Sequence, residues 1–360
     1  MKLEMNRFVE SMTGYTPGEQ PTDYQVIKLN TNEFPYDPAP EVADAIQNFA
    51  SSGGLHRYPN STCAPLRDAL AKANGIGSEE ILVGNGSDEV LRLLCHSYLN
   101  IGDSIAMLNP SYSLYPILGA MFGAKCVEYP ASNKGVLPSE VFEHTSRIFF
   151  LANPNPPLGT RYSIEEVSRL AQATAGLLVI DEAYVDFSEG HMVPVFQEFQ
   201  NVVLTRTFSK SFGLAGIRVG YVIARAPVLA QLNKVRDSYN VNAISQAVAE
   251  AALSATDYYR DKVRRVCEDR SWFADQLTMR GFQTEISQGN FIFVRVGETA
   301  RELYEYLKEN RILVRYFNTN GLRDGLRISI GTRQQLERVL EIIDKKHASN
   351  RTKGQLSAGI

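Results

Sequence analysis

From residue 46 onward, short apolar runs alternate with stretches whose apolar residues recur every three or four positions. The runs at 81–83, 105–108, 126–129, 148–151, 177–180, 202–205 and 221–224 predict strands. Helical patterns fill most of the gaps, as at 88–99 and 164–174. This alternation predicts an α/β fold: a mainly parallel seven-stranded sheet with helices on both faces. The unbroken apolar character of 148–151 and 177–180 suits strands covered on both sides.

The flanks read differently. Residues 1–45 are rich in Pro, Asn and Tyr, and a segment such as Tyr15-Thr16-Pro17-Gly18-Glu19-Gln20-Pro21 excludes a long helix or a central strand. They are expected to form an irregular N-terminal arm. Residues 244–280 predict a long helix, with Ile244, Val248, Ala251, Ala255 and Tyr258 on one face. After Gly281, strands are expected at 291–295, 312–315 and 326–330. Thr299 with Glu302, and Thr332 with Gln335, have the spacing of capping boxes that open helices. The resulting division is an arm (1–45), a large domain (46–256), a small α+β domain (257–350) and a flexible tail (351–360), with fraying from about Lys346.

Charge and composition narrow the function. A net charge of −3 over 360 residues offers no basic field for nucleic acid. Cys63, Cys95, Cys126 and Cys267 show no C-x-x-C spacing, and the histidines form no ligand cluster with them, so no metal is expected. Cys95 and Cys126 lie in apolar runs and read as buried free thiols. No secretory leader and no membrane span are evident, which fits a reducing cytoplasm.

The candidate chemistry sits at strand ends. Lys210, in Thr207-Phe208-Ser209-Lys210-Ser211-Phe212-Gly213, follows the strand 202–205, and Arg218 comes eight residues later. A partly desolvated amine loses its proton more readily and can form a Schiff base, while a guanidinium nearby can hold an anionic group. Asp181 closes the strand 177–180 and could pair with a protonated heterocycle or cap a helix. Asn153-Pro154-Asn155-Pro156-Pro157 is a stiff loop that presents an amide or simply turns the chain. Gly84-Asn85-Gly86-Ser87-Asp88 joins a strand to a helix start, as an anion cradle or a plain capped turn. Tyr112 could stack on a flat ligand or lie in the core. Each has a structural alternative alone, but their order along one sheet would bring them to one edge.

That order resembles the fold type I pyridoxal-phosphate enzymes, and among them the histidinol-phosphate aminotransferase family. The likeness runs from Leu29-Asn30-Thr31-Asn32-Glu33, through His56-Arg57-Tyr58-Pro59, to Leu326-Arg327-Ile328-Ser329-Ile330-Gly331-Thr332. It implies that Lys210 carries pyridoxal 5′-phosphate as a Schiff base and moves the proton during catalysis. Asp181 would pair with the ring nitrogen, Tyr184 and Asn155 with the ring oxygen, and Tyr112 would stack on the ring. Gly86, Ser87, Asp88, Ser209 and Arg218 would form the phosphate site, joined by Tyr58 from a second subunit of a homodimer with shared sites. Arg327 and Arg315 would hold the anionic ends of the substrates, an amino donor and a 2-oxo acid, with the arm packed on the small domain and its Tyr15 and Asn32 walling the substrate pocket. Relatives commonly read Asn-Pro-Asn-Asn-Pro-Thr-Gly where this chain has Pro156 and Leu158, so Asn155 is the expected ring-facing amide and Asn153 the alternative.

The resemblance implies a ping-pong transamination of histidinol phosphate with 2-oxoglutarate. An aromatic amino acid aminotransferase and a threonine-phosphate decarboxylase of the same fold are the alternatives. A regulatory module would need a basic helix-turn-helix, and none precedes the fold in this sequence.

Overall fold

A computed structural model of the chain describes residues 4–23 and 25–357, with side chains as far as residue 348. A two-residue strand of the arm, β1 (Ile27–Lys28), comes first. The seven expected strands follow: β2 (Ile81–Gly84), β3 (Ser104–Asn109), β4 (Lys125–Pro130), β5 (Ile148–Ala152), β6 (Leu177–Asp181), β7 (Val202–Thr207) and β8 (Gly220–Ile223). They form one sheet in the order β2-β8-β7-β6-β5-β3-β4. Strands β3 to β7 are mutually parallel, and β8 runs against β7 and β2.

Period-two alternation sends neighbouring residues into two separate cores. Ala106, Leu108, Phe149, Leu151, Leu178, Ile180 and Leu204 face one layer of helices. Ile105, Met107, Ile148, Phe150, Leu177, Val179 and Val203 face the other. Burying each larger side chain contributes roughly 1.5–3 kcal/mol. The edge strand β4 breaks the pattern. Its Cys126 is exposed rather than buried, because no further strand covers that side of the sheet.

The predicted long helix is two helices, Ala243–Ser254 and Thr256–Met279, broken at Ala255 with φ −96° and ψ 33°. Asn242 caps the first, its side chain accepting from the Ser245 amide at 2.8 Å. The first helix buries Val248, Ala249 and Ala252 in the large core. The second buries Val266, Phe273 and Leu277 in a third core. Tyr259 of the second helix still packs in the large core, so the chain passes from one core to the other within that helix.

That third core belongs to a small antiparallel sheet of β9 (Gln283–Thr284), β10 (Phe291–Arg295), β12 (Arg315–Tyr316) and β13 (Gly325–Ser329). The strand expected at 312–315 is divided. Its first part, β11 (Ile312–Leu313), pairs in parallel with β1 of the arm, and β12 pairs with β13. The arm is thereby stitched to the small unit. The Thr332 box forms, with bonds of 3.0 and 3.4 Å to and from Gln335. The Thr299 side chain makes no cap bond. The last helix, Arg333–Ser357, continues past Lys346, where fraying was expected. Residues 1–3 of the arm, residues 358–360 of the tail, and tail side chains from 349 lie outside the described residues. Among the described residues no helix is long and apolar enough to cross a membrane.

Candidate active site

The parallel strands β3, β5, β6 and β7 all end on the same side of the sheet, and a cavity of about 590 Å³ opens there. Ligands of open α/β sheets bind at this edge because strand ends and helix starts converge on it. The arm and the strand β13 close its far side.

Lys210 reaches the cavity from the turn after β7. Phe208, fully buried, anchors that turn, and the Gly213 amide closes it on the Lys210 carbonyl at 3.1 Å. Gly213 takes φ +63°, a left-handed geometry that favours glycine. The Lys210 Nζ donates to the Thr31 carbonyl of the arm at 3.1 Å. Burial and then the Arg327 charge lower its pKa to about 8, against the pull of Glu33 and Asp88. The neutral, nucleophilic amine is thus accessible near neutral pH.

Asp181 ends β6 and lines the cavity. Burial raises its pKa to about 6, opposed first by the Tyr115 hydroxyl, which donates to Oδ2 at 2.9 Å. The Ala183 amide donates to Oδ1 at 3.2 Å. Tyr184 lies across the cavity, its ring centroid 5.7 Å from the Lys210 Nζ. Its hydroxyl accepts from the Asn32 side-chain amide at 2.9 Å, which leaves its own proton to donate. Asn32, at φ +56°, is locked by Ser329, whose hydroxyl accepts from its backbone amide and donates to its Oδ1.

Opposite Lys210 is the cradle. The helix Ser87–Tyr98 starts at Gly86, which gives it no side-chain cap. Its first amides therefore suit an anion. A Cβ at Gly86 would lie 2.7 Å from Arg218 Nη2, and one at Gly220 would lie 2.3 Å from the Ser87 amide nitrogen. Arg218, itself at φ +53°, donates to the Ser209 hydroxyl at 3.3 Å and pairs with Asp88 at 3.4 Å. Asp88 also accepts from the Tyr112 hydroxyl at 3.0 Å. One carboxylate thus ties the expected stacking ring to the cradle arginine.

The third end of the cavity is cationic. Arg315 and Arg327 face each other in register on β12 and β13, each about the Phe317 ring at 5.6 Å. Arg327 donates to the Asn30 carbonyl at 2.8 Å, but its buried Nε has no partner. Burial is the main cause that lowers its pKa. Two opposed cations with an unmet donor invite an anion. Tyr15, half exposed, meets the Tyr112 ring edge-on at 6.4 Å.

Two expected residues sit elsewhere. Asn155 is fully buried and outside the cavity lining. Its amide donates to the Pro110 carbonyl at 2.9 Å and accepts from the Ser111 hydroxyl at 2.6 Å. The alternative, Asn153, has both side-chain atoms bonded to the Tyr162 backbone. Neither amide faces the site, because both clamp loops. Pro156 and Pro157 line the cavity instead. Tyr58 is also outside it, 80% exposed and stacked on Tyr239 at 4.4 Å. Sequence reasoning missed Tyr115, which follows Tyr112 by three residues in the turn that opens the helix Leu114–Met121. It also missed Phe317, which nothing in its local pattern marks.

The remaining set is a buried amine, a carboxylate at a strand end, a ring platform and an anion cradle in one cavity. It suits a flat, phosphorylated aldehyde bearing a basic ring nitrogen. The sequence pattern of the family Aminotransferase class I and II matches residues 24–343, and the chain belongs to that class. Within the class it is a member of the histidinol-phosphate aminotransferase family. It is 43% identical to the histidinol-phosphate aminotransferase of Citrifermentans bemidjiense, over 95% of this chain and 98% of that protein. A crystal structure of histidinol-phosphate aminotransferase from Sinorhizobium meliloti in complex with pyridoxal-5′-phosphate shares the fold. Its TM-score is 0.86 at 24% identity, covering 95% of this chain and 98% of that one. The fold of L-threonine-O-3-phosphate decarboxylase from Porphyromonas gingivalis is also similar. Its TM-score is 0.79 at 23% identity, covering 90% of this chain and all of that one.

Proposed function

We propose that this chain is a pyridoxal-phosphate-dependent aminotransferase that transfers the amino group of histidinol phosphate to 2-oxoglutarate, as a step of histidine biosynthesis. The carrying observation is Lys210, with its lowered pKa, in one cavity with Asp181, the Gly86 cradle and the half-unpartnered Arg327. Curated relatives at 36–43% identity over nearly the whole chain support the substrate. Pyridoxal phosphate supplies an aldehyde that condenses with amines and a protonated ring that takes up carbanion charge.

The residues divide the work. Lys210 attaches the cofactor and, once displaced by substrate, its neutral Nζ takes the proton from the substrate Cα and returns it to the former aldehyde carbon. Asp181 holds the ring nitrogen protonated, and Tyr184 donates to the ring oxygen. With Asn153 and Asn155 engaged elsewhere, Tyr184 is the ring-oxygen donor that remains of the expected set. Tyr112 stacks on the ring. The Gly86 backbone, Ser87, Asp88, Ser209 and Arg218 bind or frame the phosphate. Arg327 and Arg315 receive the phosphate of one substrate and the carboxylates of the other in successive half-reactions. Tyr15 and Asn32 belong to the arm that excludes water.

The reading includes a homodimer in which Tyr58 completes the neighbour's phosphate site, supported by its exposure together with Leu55 and Tyr239. It keeps the division into arm, large domain and small domain near residue 256, supported by the helix break at Ala255. Four unpaired cysteines support a cytoplasmic location.

Purified protein should form glutamate from 2-oxoglutarate only when histidinol phosphate is added, and Lys210→Ala should abolish this. Release of CO₂ from threonine phosphate without consumption of the oxo acid would favour the decarboxylase instead.

A further inference from the structure

We propose that Tyr115 is a positioning residue that keeps Asp181 ionised, so that the carboxylate acts as a counter-ion to the cofactor ring and does not hold the ring's proton. This rests on the proposed pairing of Asp181 with the ring nitrogen. Three observations carry it. The Tyr115 hydroxyl donates to Asp181 Oδ2 at 2.9 Å, with both residues buried. The Tyr115 ring is held on both sides, stacked on Phe150 at 4.9 Å and edge-on to Tyr112 at 5.5 Å, so the hydroxyl has one available direction. Tyr115 itself lies outside the cavity lining, so it acts through Asp181.

The surroundings of Asp181 explain why such a donor is needed. Burial and the Asp88 charge both favour the neutral carboxyl. The Ala183 amide is a second donor to it, and the Thr205 side chain, opposite on β7, also favours the ionised form, both more weakly than Tyr115. Tyr112 and Tyr184 are the other titratable groups nearby, and burial raises the pKa of both phenols. A phenol O–H donates more strongly to a carboxylate than to a neutral carboxyl, so this bond favours the ionised form of Asp181. Its own pKa is raised well above the usual value by burial, so it remains a donor across the working pH range. Tyr112 also packs on Tyr115, so the turn into the helix Leu114–Met121 carries both the ring platform and the support of the ring's counter-ion.

Tyr115→Phe removes the hydroxyl and keeps the ring. Tyr162→Phe is the matched control, because the Tyr162 hydroxyl is buried and unpartnered. The readout is the ¹⁵N resonance of ring-labelled pyridoxal phosphate bound to the full-length holoenzyme across pH 6–9. In the parent and in Tyr162→Phe the nitrogen should stay at the protonated position. In Tyr115→Phe it should move toward the neutral-ring position. Loss of a hydrogen bond to an ionised acceptor should raise the Asp181 pKa by about 1–2 pH units, a tenfold to hundredfold change in its proton affinity. An unmoved nitrogen signal in Tyr115→Phe, or the same shift in Tyr162→Phe, overturns the proposal. Asp181→Asn separates this from the assignment beneath it: if that variant also leaves the nitrogen protonated, Asp181 is not the ring's partner.

Discussion

At the residue scale, Lys210 sets the pH range of the chemistry. Only the neutral amine attacks an aldehyde, so the rate at which apoprotein takes up pyridoxal phosphate should rise with pH to a plateau, with a midpoint near 8. A stopped-flow series of absorbance changes checks this, and a midpoint near the ordinary lysine value of 10.5 would contradict it. The sign for stability follows from the same shift. Between about 8 and 10.5 the unfolded chain keeps a proton that the folded chain has lost, so this group's contribution to apoprotein stability rises with pH across that window. Lys210, Asp181 and Tyr184 could be placed at one edge from the sequence because each ends or follows a strand of one sheet, and Arg218 because it leads into the next strand, β8. The amide of Asn155 could not be placed, since whether it faces a ligand or clamps Pro110 depends on how two loops pack.

At the scale of elements, the cradle depends on backbone approaching backbone. Gly220 of β8 lies against the start of the helix Ser87–Tyr98, where a Cβ would come within 2.3 Å of the Ser87 nitrogen and 2.7 Å of the Gly86 carbonyl carbon. Gly220→Ala should therefore push the helix start away, costing about 1–3 kcal/mol. It should also speed cofactor loss on dialysis, while Gly216→Ala, where a Cβ meets nothing within 4 Å, should change cofactor retention little. Thermal unfolding and residual cofactor absorbance read both effects. The large sheet was legible because apolar runs of strand length recur between turn residues. The break at Ala255 was not, since no glycine or proline marks it. The division of 312–316 between the arm and the small sheet was hidden because pairing partners distant in sequence decide it.

At the scale of the whole molecule, the arm, the small sheet and the large sheet meet over the cavity, and the proposed second subunit closes its phosphate end. If sites are shared, a hybrid of a Tyr58→Ala subunit and a Lys210→Ala subunit contains one site with both residues intact. Mixing and refolding the two variants should give more activity than their separate sum, whereas a monomer with self-contained sites gives only the sum. The substrate end, with Arg315 and Arg327 set about Phe317, is where the central claim is most exposed. Its most direct test is a single half-reaction of the purified, cofactor-loaded protein, followed by absorbance without any 2-oxo acid. Histidinol phosphate should convert the bound cofactor from its aldehyde to its amine form, faster than phenylalanine at equal concentration and with no CO₂ released. No conversion by histidinol phosphate, with conversion by phenylalanine or CO₂ release from threonine phosphate, would contradict the account.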